Sequence, residues 1–262
     1  MKTSELTERK GVSQSCTNNS GSILLPNTTA KEQDVCATRT LREPTTNLQE
    51  GDAPEKNSLA RDWVAYYNAV VGRPPRETLL TALNNFDAEE QELSSNNLPT
   101  RLAIDLGCGD GRDTVELLRR GWRVLGIDGE KEAIARLLQR PDLNTQLLET
   151  KLMRFEALQL PKAVDLINAS FSLPFCPPPA FPGLWDKILA ALHPGGRFCG
   201  QLIGDRDSWT MELPITYHTR QQVEELLQPF VVEMLEEEEH PGKTALGEEK
   251  HWHIFQIVAR KL

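Results

Sequence analysis

Residues 101–111, RLAIDLGCGDG, hold an apolar run, Asp105, and glycines at three alternate positions, Gly107, Gly109 and Gly111. A second apolar run closes on Asp128. Alternate glycines let the backbone bend sharply after a strand and let a ligand lie against bare peptide, where a Cβ would stand in the way. A carboxylate at the end of the next parallel strand, roughly 20 residues on, is placed to accept both hydroxyls of a ribose. The constellation predicts a nucleoside site.

Charge narrows the ligand. A dinucleotide loop reads G-x-G-x-x-G, its third glycine packing helix on strand while the helix N-terminus faces a diphosphate. That position is Arg112 here, and Asp105, Asp110 and Asp113 crowd the loop. Carboxylates at a helix start suit its dipole but repel phosphate. A ligand with a ribose, no phosphate, and positive amino and sulfonium groups fits, and S-adenosylmethionine is such a ligand. A glycine-rich turn of an unrelated βαβ unit is one alternative; an NAD-dependent oxidoreductase is another, which fold alone does not exclude.

The 262 residues, 39% hydrophobic and 26% charged, suffice for one good-sized core or two small ones. A net charge of −9 and a pI near 5.2 argue against the basic face that nucleic acid requires. Five cysteines, odd in number and without C-x-x-C spacing, indicate neither a disulfide framework nor a zinc site. No apolar stretch reaches the roughly 20 residues of a membrane helix, and residues 1–20 lack the apolar core of a secretory signal. The expectation is a cytoplasmic protein with no membrane span, no nucleic-acid partner and no metal.

Residues 1–58 are polar, without Phe, Trp or Tyr, and are expected to form a disordered leader because they cannot bury enough surface to offset ordering entropy. A methyl-donor domain is expected over 59–262, with cap helices in 59–86 broken by Gly-Arg-Pro-Pro. A polar linker, QELSSNNLPT, follows. Strands are then expected at 102–106, 123–127, 151–155, 164–169 and 197–203, with helices near 113–120, 130–140, 181–192 and 219–227, the last opened by a Thr219/Gln222 capping box. The runs PFVVEML and HWHIFQIVAR, joined by a loop containing HPGKTALGEEK, predict a hairpin. The fold class is therefore α/β: a doubly wound, seven-stranded Rossmann-like sheet with an antiparallel C-terminal strand and helices on both faces.

The glycine loop resembles motif I of the class I S-adenosylmethionine-dependent methyltransferases, and the likeness spans about residues 60–262. HPGGRF (193–198) is similar to that family's turn into the fifth strand, FEALQLP (155–161) to its adenine motif, and VDLINASFSLPF (164–175) to its fourth strand. GCGDGRDT and KHWHIFQIVARK further resemble small bacterial tellurite-resistance and thiopurine-type enzymes. The resemblance implies a cofactor site of Asp105, Gly107, Cys108, Gly109, Gly111, Asp128, Gly129, Phe155, Glu156, Asn168 and Ala169. Aspartate is commoner than glutamate at the adenine position.

Methyl transfer is an in-line displacement at an electrophilic sulfonium carbon, so alignment is the main task, and positioning supplies roughly 7–11 kcal/mol. A base is needed only where the acceptor must lose a proton, and adds about 10²–10⁴-fold. Candidates are His218, Asp205 and Tyr67; His218 as a capping or solvated histidine is the alternative. Acceptor-binding candidates are Trp63, Tyr66, Arg73, Arg76, Phe171, Arg206 and Trp209, against plain core packing for the rings and ordinary surface roles for the arginines. The expected activity is methylation of a small-molecule acceptor by a monomer or weak homodimer. Methylation of a protein side chain or nucleic acid, or a cofactor-binding partner protein without turnover, are the alternatives.

Overall fold

The computed structural model describes residues 62–93 and 100–262. The expected leader lies outside the described residues, as does part of the linker. Helix α1 (Trp63–Val70) starts on Asp62, whose side chain accepts from the Ala65 N–H, and stops before Pro74 and Pro75, which cannot continue it. Helix α2 (Glu77–Leu93) follows. Then come β1 (Leu102–Leu106), α3 (Arg112–Arg119), β2 (Arg123–Asp128), α4 (Lys131–Leu138), β3 (Leu148–Leu152), β4 (Val164–Ala169), α5 (Phe181–Ala191) and β5 (Leu192–Ile203). A one-turn α6 (Trp209–Glu212), α7 (Arg220–Leu226), β6 (Phe230–Lys243) and β7 (Glu249–Lys261) complete the chain.

The strands form one sheet in the order β3-β2-β1-β4-β5-β7-β6. β1 to β5 are parallel, and β7 runs antiparallel between β5 and β6. Side-chain period two divides the core between the faces. Ala103, Val124, Leu166, Cys199 and Val258 face Leu79, Leu83 and Phe86 of α2 and Leu117 of α3. Their neighbours Ile104, Leu125, Ile167, Phe198 and Ile257 share the other face with Trp185 and Ile188 of α5 and Val223 of α7. Strand order reverses between β1 and β4, so the carboxyl ends of these strands leave the crevice in which such sheets bind ligands.

The boundaries depart from expectation in five places, the first being α2, which runs past 86 to Leu93 and takes in the start of the expected linker. β3 ends at Leu152 instead of Phe155, because Phe155 opens a 3₁₀ turn. β5 takes in the His193–Gly196 turn, with a register irregularity against β4 between Val164 and Leu166. The hairpin strands run on through HPGK, pairing His240 with Trp252 and Gly242 with Lys250, so the loop shrinks to residues 244–248. Of the two expected cap helices, α1 faces the glycine loop whereas α2 covers the sheet, since its apolar stripe meets β5 and β7.

Arg197 fastens α2 and β6 to the sheet. Its side chain is 1% exposed and makes paired hydrogen bonds to Glu89 of α2, at 2.6 and 3.0 Å, and to Glu233 of β6, at 2.7 and 2.9 Å. Its guanidinium stacks 4.2 Å from the Phe86 ring. Removing Arg197 takes the main cation from Glu233, which keeps Asn85 and the more distant Arg260, while the half-exposed Glu89 turns to water. Arg197→Met is expected to lower unfolding free energy by about 1.5–3 kcal/mol in urea titration, and an unchanged midpoint would show the network to be dispensable.

Candidate active site

The glycine loop is fastened to β2 by backbone and carboxylate together. Gly107 N–H and Cys108 N–H both donate to the Ile127 carbonyl, at 2.7 and 3.1 Å. Asp128 accepts from Gly109 N–H at 2.9 Å through one oxygen and from Glu130 N–H at 2.8 Å through the other. Gly107 has φ +71°, and a Cβ there would lie 2.3 Å from the Ser172 Cβ. Gly109, φ +55°, faces the Tyr67 ring edge at a distance that would just admit a Cβ. Gly111 plays another part: it starts α3 at φ +88°, and a Cβ would strike Leu137.

Beneath the loop lies a second carboxylate pair. Asp105, at the end of β1, accepts from Thr114 Oγ1 at 2.6 Å and from Asn168 Nδ2 at 2.9 Å. The same amide donates to Asp113 at 3.1 Å, and Asp113 also accepts from Ser170 Oγ and from Arg76 N–H. Burial, then the neighbouring Asp113 charge, push the Asp105 carboxyl up to about 7. Burial likewise raises Asp128. The Tyr67 phenol is held well above its ordinary range by burial and by Asp128 and Glu130, so it stays protonated. Shifts of this kind arise where burial and like charges gather, as they do at functional sites.

A cavity of about 440 Å³ lies over this floor, roofed by Trp63, Tyr66 and Tyr67 of α1. Six carboxylates line it (Asp105, Asp110, Asp113, Asp128, Glu130 and Glu156) against three guanidiniums, Arg76, Arg112 and Arg154. A second cavity, about 300 Å³, shares the wall formed by Trp63, Tyr66, Arg76, Phe171 and Phe175. Its far side is Trp209 of α6 and Trp252 with residues 243–246 of the hairpin. Phe171 sits on the dividing wall at φ +53°, a left-handed conformation that costs an ordinary residue about 1–2 kcal/mol. Gln201 helps hold it there, its Oε1 accepting from Phe171 N–H while its Nε2 donates to Thr78 and Gln256.

The structure brings Asp105, Gly107, Cys108, Gly109, Asp128, Gly129, Phe155 and Glu156 to the first cavity, with Trp63, Tyr66, Tyr67, Arg76 and Phe171. Arg73 and Trp209 line the second. Gly111, Asn168 and Ala169 line neither: Gly111 packs α3, Asn168 is buried holding Asp105 and Asp113, and Ala169 belongs to the core. His218 is also a correction, since it is buried against Phe181 at 4.6 Å between ring centres, away from both cavities. Burial lowers it to about 4. Asp205 and Arg206 turn instead toward His253, with Arg206 also bound to Glu237 and Glu239. Ser170 lies just past the end of β4, the edge that the resemblance implies, whereas Ser172 and the hairpin wall are not foreseen from the sequence. No pattern in the sequence says that HPGK continues a strand past the sheet edge.

Residues 103–196 match the family model described as the methyltransferase domain. That stretch is similar to the methyltransferase domain, and the sheet order above is that of the Rossmann-like methyltransferase fold. TehB from Haemophilus influenzae superposes with a TM-score of 0.55 at 19% identity, over 68% of this chain and 62% of that one. The chain thus spans under two thirds of TehB. An S-adenosylmethionine-dependent methyltransferase of Methanosarcina mazei gives 0.51 at 21%, over 65% of this chain and 97% of its own. Magnesium protoporphyrin IX methyltransferase of Synechocystis, solved with bound S-adenosylhomocysteine, gives 0.52 at 12%, over 76% and 94%. No curated protein sequence matches the chain. No helix among the described residues is long and apolar enough to cross a membrane.

Because Asp105 is raised in the folded state, the stability it contributes is full below the unfolded carboxyl range and is lost as pH rises through about 7. Asp105→Asn removes that loss. The stability of the variant minus that of the ligand-free wild type is expected to grow from pH 5 to pH 8 in thermal unfolding; a flat difference would refute a buried, raised Asp105.

Proposed function

We infer that the chain is an S-adenosylmethionine-dependent methyltransferase acting on a small-molecule acceptor in the cytoplasm. The observation that carries the reading is the acid-lined first cavity over a glycine bend held by Asp128. Its charge excess favours a cationic nucleoside and disfavours a diphosphate, and the bend leaves room for a ligand against bare peptide at Gly109. Both Asp128 oxygens keep further lone pairs for the ribose hydroxyls beyond the two N–H groups they hold. Phe155 and Glu156 suit an adenine ring and its amino group. Asp105 and Asp113 suit the ammonium, and the α1 rings the sulfonium, through cation–π contact worth about 0.5–2 kcal/mol.

When bound, the cofactor supplies an activated methyl carbon. The protein's own part is to align an acceptor arriving from the second cavity across the Phe171 wall and to keep water out beneath α1. None of the three candidate bases suits the task. His218 is remote, Asp205 faces His253, and Tyr67 holds its proton too tightly. The reading is therefore one of catalysis by positioning, with an acceptor that reaches the site ionised or needs no base.

Isothermal titration tests it. S-adenosylhomocysteine is expected to bind, and NAD is not. Asp128→Asn keeps an acceptor oxygen but loses the charge, so affinity should fall by about 10–100-fold, as for loss of charge-assisted hydrogen bonds. Asp128→Ala, which also frees Gly109 N–H, should abolish binding. Unchanged affinity in both variants would defeat the ribose assignment, and NAD binding without the adenosyl ligand would defeat the whole reading.

A further inference from the structure

The second cavity is lined by two guanidiniums that form no ion pair among the described residues, and the inference from them rests on the methyltransferase reading above. The acids on its walls equal the cations in number and are hydrogen-bonded chiefly to neutral groups. Asp62 caps α1, Glu238 accepts from Gln256 and stands beside His240, and Glu248 accepts from Thr244. Lys243 is paired with Glu249 at 2.9 Å. Two cations are left: among the described residues, neither Arg73 nor Arg76 has a carboxylate within 4.0 Å. Both come from the short, proline-stiffened segment between α1 and α2.

Arg76 is the more telling of the two. It is partly buried, its guanidinium stacks 4.4 Å from the Phe171 ring, and it stands on the wall between the cavities. Burial first, then the Arg112 charge, depress its proton affinity, and Tyr66 and Asp113 offset only part of that. A buried guanidinium in such company is costly unless an anion joins it. The remaining surface is aromatic: Trp63, Tyr66, Phe175, Trp209 and Trp252 line the same space. Rings favour a flat apolar body, and a guanidinium favours the planar, two-oxygen geometry of a carboxylate.

We propose that the second cavity binds acceptors that join a flat aromatic body to a carboxylate, the body lying among the rings and the carboxylate held by Arg73 and Arg76. The cavities then divide by charge: the first takes a cation, the second an anion, and Phe171 and Arg76 stand between them. Acceptor choice follows from this pairing.

The test uses the full chain saturated with S-adenosylhomocysteine and three probes of one shape: 2-naphthoate, 2-naphthamide and 2-naphthylmethylamine. Binding is read by quenching of tryptophan fluorescence and by calorimetry. The acid is expected to bind at least tenfold more tightly than the amide or the amine. Arg73 borders only the second cavity, so Arg73→Gln should remove that preference while leaving S-adenosylhomocysteine affinity within twofold. Arg76→Gln should remove it too. Equal binding of the three probes, or binding of none, overturns the proposal. So does an Arg76→Gln protein that loses S-adenosylhomocysteine affinity tenfold yet keeps the acid preference, since Arg76 would then serve the cofactor's own carboxylate. Failure of the wild type to bind S-adenosylhomocysteine strikes the methyltransferase reading itself, whereas a lost acid preference with that binding intact strikes only this proposal.

Discussion

One carboxylate, Asp128, joins the two halves of the nucleoside cradle. Each of its oxygens accepts a backbone N–H, one from Gly109 in the loop after β1 and one from Glu130 in the turn after β2. Those loops are adjacent because β1 and β2 pair in parallel register, Leu106 beside Ile127. A glycine bend at positive φ is therefore fixed by a charge from the neighbouring strand. The same charge is largely removed from water, and on the proposed reading a ligand bringing positive charge would relieve that cost, so cradle geometry and ligand preference would have one cause.

The acids behind it extend the effect. Asn168 bridges Asp105 and Asp113 with a single amide nitrogen, so β4 contributes the group that lets two buried carboxylates stand side by side. Burial and the neighbouring Asp113 charge still raise Asp105, so the amide and Thr114 relieve only part of the cost. Asp113 in turn accepts from Arg76 N–H, tying the entry to α2 to the start of α3. The aromatic roof of α1 and the floor of acids are thus parts of one hydrogen-bonded frame.

Much of this was legible in the chain before any coordinates. Alternate glycines, Asp128 and the βα alternation depend on local chemistry: a bend that needs no Cβ, a carboxylate at a strand end, a period of two giving way to one of 3.6. The Thr219/Gln222 capping box is present as read, both reciprocal hydrogen bonds included. Less legible was whatever long-range packing decides. Asn168 sits at the end of β4 and reads as a ligand contact, but pairing with Asp105 turns it under the loop. His218 reads as a capping or solvated histidine or a candidate base, yet Phe181 and the Gly204 bridge enclose it. β3 carries the sequence LETKL, too polar to stand out, because an edge strand has only one neighbour to satisfy. The outer wall of the second cavity depends on how far two strands outrun β5, which no local pattern encodes.

That overhang changes how the small size of the domain is understood. Without a long insertion after β3 or β5, the second cavity is assembled from short pieces. The turn between α1 and α2 gives arginines, the end of β4 gives Phe171 and Phe175, α6 gives Trp209, and the projecting hairpin gives Trp252 and the rim. Three of the pieces are anchored by different interactions: the turn before α2 by Arg76 N–H on Asp113, Phe171 by Gln201, and the hairpin by the buried Asp207–Lys250 pair beneath the two tryptophans. A pocket held at several independent points keeps its shape under local fluctuation, as catalysis by alignment demands. The strained φ at Phe171 belongs to the same logic. It is the residue that both cavities share, and Gln201, itself fixed by Thr78 of α2 and Gln256 of β7, leaves it little freedom to relax.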